Sequence, residues 1–354
     1  MTMTLPYRRI LISRLRFIGD VVLTTPAVAS VRAALPDAFL AYLGEREAVS
    51  LLEHHPDIDE IIPYDFSRPS AVEQARVALL LRRRRFDLAI DLFSNPRSAL
   101  LMYLSGTRVR VGLDRKGRGR LFTVRVRDDG APRTAIEFHM RFLSAVGIPT
   151  PAVKTRIVVT EQECREAEEL LRRTSGEGEF RHPAIVLHPG ATWPAKKWEA
   201  ERFGQLGRRV ATELKGSVFI AQGPGDDMLV RNVRAAADGA VSILPLTSLR
   251  LLAAVLSLCD VVVSNDAGPM HIAAAVGTPT IGLFGPGEEN IWFPYDPADG
   301  HKALRKDVPC HPCHLDVCNR EGAGFMECMN LLSTDEVFLA VLSSLRARKP
   351  QGLR

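Results

Sequence analysis

A chain of 354 residues is long for one hydrophobic core and comfortable for two domains of roughly 150–180 residues each. An apolar fraction of 46% with 25% charged residues excludes a disordered or fibrous protein. No apolar run reaches the roughly 18 residues a bilayer span needs, the longest, LLAAVLSL, soon meeting Cys259 and Asp260. The formal charge of +5 is unevenly spread: residues 1–150 hold 23 Lys and Arg against 16 Asp and Glu, and the remainder 23 against 25. A basic N-terminal half suits nucleic acid, an anionic membrane face or a phosphorylated substrate. The start MTMTLPYRRI lacks the basic, apolar, small-residue order of a signal peptide, so a cytoplasmic location is expected.

In chain order, RRILISRL reads as a strand, DVVLTTPAVASVRAAL as a helix, AFLAYLG as a strand and REAVSLLEHH as a helix. IDEIIPYD, SAVEQARVALLLRRRR and FDLAIDLF continue as strand, helix and strand. This alternation predicts a parallel sheet with helices on both faces. The Pro- and Gly-rich stretch GIPTPAVKT, 147–155, reads as a linker. A second α/β series follows, with strands AIVLHPG, GSVFIAQG, VSILP, VVVSND and TIGLFGP and helices such as EAERFGQLGRRVATEL and LRLLAAVLSL between them. The expected architecture is two doubly wound domains with a ligand cleft lined by strand ends.

Three strand-to-helix junctions carry chemistry. At the first, Gly19 permits a tight turn and Asp20 either caps the following helix or serves as a base at the strand's carboxyl edge. No G-x-G-x-x-G fingerprint accompanies it. At the second, LHPGATWPAKKW, Thr192 offers a hydroxyl and Lys196 and Lys197 offer cations, a set suited to a phosphate oxygen. At the third, Ser264-Asn265-Asp266 closes a β-branched strand and Ala267-Gly268-Pro269 opens a helix, with Met270 and His271 in its first turn. Free N–H groups at such a helix start form a natural seat for a diphosphate.

Other signals divide between function and plain structure. QGPGDD is a strand-end turn in which Asp226 or Asp227 either touches a sugar hydroxyl or sits at the surface. PDIDEI reads as a polar turn, and Arg82–Arg85 as the solvated end of a helix, lacking the interleaved aromatics of a nucleic-acid module. Cys310, Cys313, Cys318 and Cys328 form C-x2-C-x4-C-x9-C, with His311 and His314 nearby. A structural zinc cluster and a reduced thiol cluster supporting a loop are both compatible with that spacing. Cys164 and Cys259 read as small buried hydrophobes.

Taken in order, RFIGDVVLTTPAVASVRAALPDA, LHPGATWPAKKW and SNDAGPMHIAAAVGTPTIGLFGP, followed by the cysteine-rich tail, resemble the glycosyltransferase family that contains the ADP-heptose:lipopolysaccharide heptosyltransferases. The likeness spans nearly the whole chain, and the form PGATWPAKKW is more similar to the heptosyltransferase II branch than to heptosyltransferase I. The resemblance implies a GT-B fold, two Rossmann-like domains facing across a cleft. Residues 1–155 would bind the acceptor, residues 156–340 the nucleotide sugar, and 341–354 would form a tail. It implies an inverting transfer without metal or cofactor, with Asp20 as general base. Lys196 would meet the donor diphosphate, Asp266, Gly268 and His271 would match the donor-binding Asp-x-Gly-x-x-His segment, and Thr192, Ala267, Pro269 and Met270 would complete the donor site. Gly19, Arg97, Arg115 and Arg118, with Lys116 and Arg120, are the acceptor-side candidates.

The implied partners are an ADP-sugar and the inner core of lipopolysaccharide, with peripheral contact at the inner membrane face and no nucleic acid. Two departures bear on the donor. Ala267 stands where the family usually has Ser or Thr, and Gly287, followed by Glu288 and Glu289, stands where it usually has a small hydroxyl residue. Another nucleotide sugar or another surface glycan therefore stays open, as does, more remotely, a non-catalytic metal- or nucleic-acid-binding protein.

Overall fold

The structure, a computed structural model, describes residues 5–115, 117–176 and 179–347. It divides into two compact units, Met1–Val158 and Val159–Arg354. Residues 148–160, around the junction, carry no helix or strand.

In the first unit the strands are β1 (Arg9–Arg14), β2 (Phe39–Glu45), β3 (Glu60–Tyr64), β4 (Leu88–Asp91), β5 (Val109–Leu113) and β6 (Val124–Val126). The helices are α1 (Ile18–Val22), α2 (Thr25–Ala34), α3 (Arg46–Ser50), α4 (Ser70–Arg84), α5 (Pro96–Leu104) and α6 (Ala135–Ser144). All neighbouring strands pair in parallel in the order β3-β2-β1-β4-β5-β6, the doubly wound nucleotide-binding order. The central strands β1 and β4 are apolar because both their faces are covered: Ile10, Ile12, Leu88 and Ile90 point into one core, Leu11 and Ala89 into the other.

In the second unit the strands are β7 (Ile185–His188), β8 (Val218–Ile220), β9 (Ser242–Ile243), β10 (Val261–Asn265), β11 (Thr280–Phe284) and β12 (Lys302–Arg305). The helices are α7 (Glu161–Ser175), α8 (Ala200–Glu213), α9 (Asp227–Ala236), α10 (Leu249–Leu258), α11 (Gly268–Ala275), α12 (Glu289–Trp292), α13 (Glu327–Asn330) and α14 (Thr334–Ala347). The sheet order β12-β11-β10-β7-β8-β9 repeats the first unit's topology, again with every pair parallel. Residues 341–347 are the last turns of α14, and Val341 is fully buried.

The first helix read from the sequence is in fact two. Pro26 in the first turn of α2 has no N–H to continue α1, and the Thr24 and Thr25 hydroxyls bond instead to Val21 O (2.7 Å) and Val22 O (2.8 Å). REAVSLLEHH likewise keeps only one helical turn, Arg46–Ser50. Strands β5, β6 and β12 were not evident in the sequence: arginines interrupt the first two, and β12 is an edge strand with no fully buried residue. Among the described residues no helix is long and apolar enough to cross a membrane.

Candidate functional site

Two clusters form, one at the carboxyl edge of each sheet. In the first unit, β1 ends at Arg14 and the chain turns through Phe17 into α1, where Asp20 is the third helical residue. One Asp20 oxygen accepts the Phe17 N–H at 3.1 Å and the other pairs with Arg14. The capping role and a position at the sheet's carboxyl edge thus coincide in one side chain, which is 13% exposed. Arg14 is fixed independently, donating to Leu92 O at 2.7 Å and lying 4.6 Å from the centre of the Phe93 ring. Gly19 is buried in the same turn.

Several buried groups surround this pair. Asp91, at the end of β4 and in register with Ser13, is fully buried, and that burial raises its carboxyl to about 6 against the N–H bonds from Ser94 and Phe93. His139 on α6 is lowered to about 3, first by burial and then by the Arg14 charge, so it stays neutral. Burial likewise raises Tyr42, whose hydroxyl lies 2.6 Å from Thr24 Oγ1. Arg14 and Asp91 were missed in the sequence, where neither stood out from an ordinary strand end.

The acceptor-side arginines lie at the same edge. Arg97, in the first turn of α5, donates to Ser70 Oγ at 3.0 Å and stands 5.1 Å from the Phe66 ring centre. Arg16 covers the same ring at 3.9 Å, a partner the sequence did not suggest. Arg115 and Arg120 are exposed and Arg118 half-buried on the loop after β5, while Lys116 lies outside the described residues.

In the second unit the loops after β7 and β10 meet. Lys196, on a single 3₁₀ turn (Pro194–Lys196), pairs with Asp266 at 2.5 Å and sits 4.6 Å from the Trp193 ring centre. Asn265 joins the two loops, donating to Pro189 O (2.8 Å) and accepting the Trp198 N–H (3.1 Å). Gly287 closes the cluster from the loop after β11: a Cβ there would stand 2.9 Å from Asp266 Oδ2. Bare backbone at this position lets the Lys196–Asp266 pair lie directly against the loop. Thr192 is exposed beside it, and burial lowers His188, below the loop, to about 4.

Helix α11 starts at this pair. Ala267 is its N-cap and has no side-chain oxygen to give, Gly268 and Pro269 follow, and the Met270 N–H returns to Ala267 O at 3.1 Å. Met270 was expected at the donor, but its side chain is fully buried with Phe284 and Phe293, so only its backbone lies at the helix start. His271 is buried with Nδ1 2.7 Å from the Tyr295 hydroxyl, a phenol that burial holds well above its usual range and therefore protonated. Asp226 is half-buried, accepting the Gly223 N–H at 2.9 Å and lying against Gly190.

The cysteine-rich segment packs under this site. His311 Nε2 is 2.9 Å from Gly287 O, the His314 N–H donates to Pro286 O (3.1 Å), and the Ala195 N–H donates to Asp316 O (3.0 Å). Cys310, Cys313, Cys318 and Cys328 are free thiols, and burial, then Cys310, raise Cys328. Among the described residues no group of three or more His, Cys, Asp or Glu is disposed to hold a metal ion. The segment's visible work is to brace the loops carrying Lys196 and Gly287.

Residues 75–323 match glycosyltransferase family 9 (heptosyltransferase). The chain belongs to that family. Among curated relatives, lipopolysaccharide heptosyltransferase 3 of Escherichia coli is 26% identical over 297 residues, covering 79% of this chain and 84% of the relative. Lipopolysaccharide heptosyltransferase 2 of E. coli K12 is 25% identical over 311 residues, covering 83% and 86%. The structure of E. coli ADP-heptose lps heptosyltransferase II superposes with a TM-score of 0.78 at 22% identity, over 96% of this chain and 98% of that one. This family 9 chain is therefore a glycosyltransferase of GT-B fold, similar to heptosyltransferases of the lipopolysaccharide core. Near-equal identity to heptosyltransferases 3 and 2 does not favour either branch.

Proposed function

We propose that this enzyme moves heptose from ADP-heptose to the inner core of lipopolysaccharide, in the manner of heptosyltransferase II, with inversion at the anomeric carbon. The first unit takes the acceptor and the second the ADP-sugar. The observation that carries this reading is the Lys196–Asp266 pair at the open start of α11, a cation and free backbone N–H groups converging where a diphosphate can sit.

Asp20 removes the proton from an acceptor hydroxyl as that oxygen attacks the anomeric carbon. The bond to the diphosphate breaks on the opposite face, and its electron pair leaves with ADP. Lys196 and the α11 amides stabilise the developing charge on the leaving diphosphate, a task that needs no metal. Asp266 holds the Lys196 ammonium in place. The arginines at the first sheet's edge, Arg97, Arg115 and Arg118, meet the acceptor's phosphates and carboxylates. The work takes place in the cytoplasm at the inner membrane face.

A second reading, the same chemistry with another nucleotide sugar, is favoured by Ala267, which brings no hydroxyl to the donor. One assay separates them: purified enzyme, a defined inner-core glycolipid and a panel of nucleotide sugars. Preference for ADP-heptose supports the first reading, and strong preference for a different donor replaces it with the second.

A further inference from the structure

Helices α4 and α5 lie side by side on one face of the first sheet, the Gln74 side chain donating to Arg97 O at 3.0 Å. Their inward residues, including Val77, Leu81, Leu101 and Met102, belong to one core. Their outward residues are also apolar. Val72 and Leu79 on α4 are 60% and 58% exposed, and Leu100 and Tyr103 on α5 are 40% and 53% exposed. The spacing, seven residues on α4 and three on α5, puts each pair on one side of its helix. The Arg110 guanidinium lies 5.7 Å from the centre of the Tyr103 ring, so a cation already borders this apolar face.

The charge beside them is of one sign. From Ser70 to Leu113 the chain has eight arginines, no lysine and three acids. None of the three acids reaches this surface freely. Glu73 is fully buried against Arg76 and the Asp65 N–H, Asp91 is fully buried, and Asp87 accepts the N–H groups of Arg8 and Arg9. Arg84 is taken by Glu60, on β3, at 2.5 Å. Arg82, Arg83 and Arg85 have no carboxylate partner among the described residues, and with Leu79 they line an open depression of about 490 Å³.

We infer that the outer face of α4 and α5 is a docking surface for an anionic lipid bilayer. Apolar side chains enter the boundary between headgroups and acyl chains, while the arginines spread their stems over it and hold lipid phosphates. Nucleic acid would use the arginines but has nothing to offer an outward Val72, Leu79 and Leu100. The inference deepens the proposed lipid-linked acceptor and takes its motive from that reading, but its test is independent of any transfer.

The full chain is floated with vesicles of phosphatidylethanolamine and phosphatidylglycerol, and separately with neutral phosphatidylcholine vesicles. Binding to the first and not the second is expected, weakening as salt is raised. Since each cationic side chain near such a surface is worth about fivefold, Arg82→Glu with Arg83→Glu should weaken binding by at least about 25-fold. Leu79→Glu with Leu100→Glu should abolish it, and the milder pair Leu79→Ser with Leu100→Ser should weaken it without a change in melting temperature. All variants should keep the wild-type rate on a water-soluble, deacylated acceptor. If no acceptor supports transfer, the proposed function fails while the vesicle result still stands. Equal binding to neutral vesicles, unchanged binding by the variants, or binding of an oligonucleotide without vesicles would overturn the inference. So would a dimer broken by Leu79→Glu.

Discussion

In the first unit the cation–carboxylate pair, Arg14 with Asp20, joins the end of β1 to the start of α1 across one short turn; in the second, Lys196 with Asp266, it joins loops that follow different strands. The anchoring differs as well. Arg14 is fixed by the Leu92 carbonyl and the Phe93 ring, which leaves Asp20 as the member presented at the sheet edge. In the second pair the Asp266 backbone is tied to Leu283 O at 3.1 Å and its carboxylate is packed against Gly287, which leaves the Lys196 ammonium as the presented member. The same sheet topology thus carries a cation–carboxylate pair at its edge in both units, and the proposed transfer would use the carboxylate of the first and the cation of the second.

Removing the presented carboxylate is the strongest way to break this contrast. Asp20→Asn keeps an acceptor for the Phe17 N–H and should lower kcat by about 10²-fold or more, with the Kd for the ADP-sugar unchanged. Near-normal turnover would remove Asp20 as the base. Removing the presented cation should act on both quantities. Lys196→Ala is expected to lower kcat by about 10²-fold and to weaken ADP-sugar binding, measured by calorimetry alongside the rate. A variant that binds the donor normally would show that Lys196 serves only to pair with Asp266.

The same contrast explains what could be read from the sequence. The parallel alternation was legible because β1, β4, β7 and β10 are buried on both faces and spell continuous apolar runs. Lys196, Asp266 and Gly268 were legible because each follows such a run at a glycine or proline turn. Arg14 was not, since an arginine ending a strand has no local mark that separates a solvated one from a buried partner. Nor was the depth of Met270, because the helix-start signal fixes where α11 begins and not which side faces Phe284. Asn265 stood in the quoted motif, yet its bond to Pro189 spans 76 residues and depends on the β7–β10 pairing.

The buried carboxyl behind the first pair gives a subtler test, through stability rather than rate. Asp91 is raised to about 6 by burial, above an unfolded value near 3.8. A group raised in the folded state contributes stability at low pH, and that contribution is lost as pH climbs from about 4 to about 6. Asp91→Asn keeps an oxygen for the Ser94 and Phe93 N–H groups and removes the charge. Thermal melts should show the variant close to wild type near pH 4 and more stable by about 3 kcal/mol above pH 6. A variant less stable at pH 8 would mean that the ionised carboxylate, facing Arg14, more than offsets its desolvation.

The finest distinction is between holding the base and touching the substrate. Arg14→Lys keeps one positive charge but loses the fork that reaches Leu92 O and Asp20 together. If Arg14 only aims Asp20, kcat should fall by about tenfold, the ADP-sugar Kd should stay fixed, and the acceptor KM should change little. A fall as large as that of Asp20→Asn, accompanied by a raised acceptor KM, would instead put Arg14 on the acceptor. The first sheet would then present its cation as the second does, and the asymmetry between the two units would vanish.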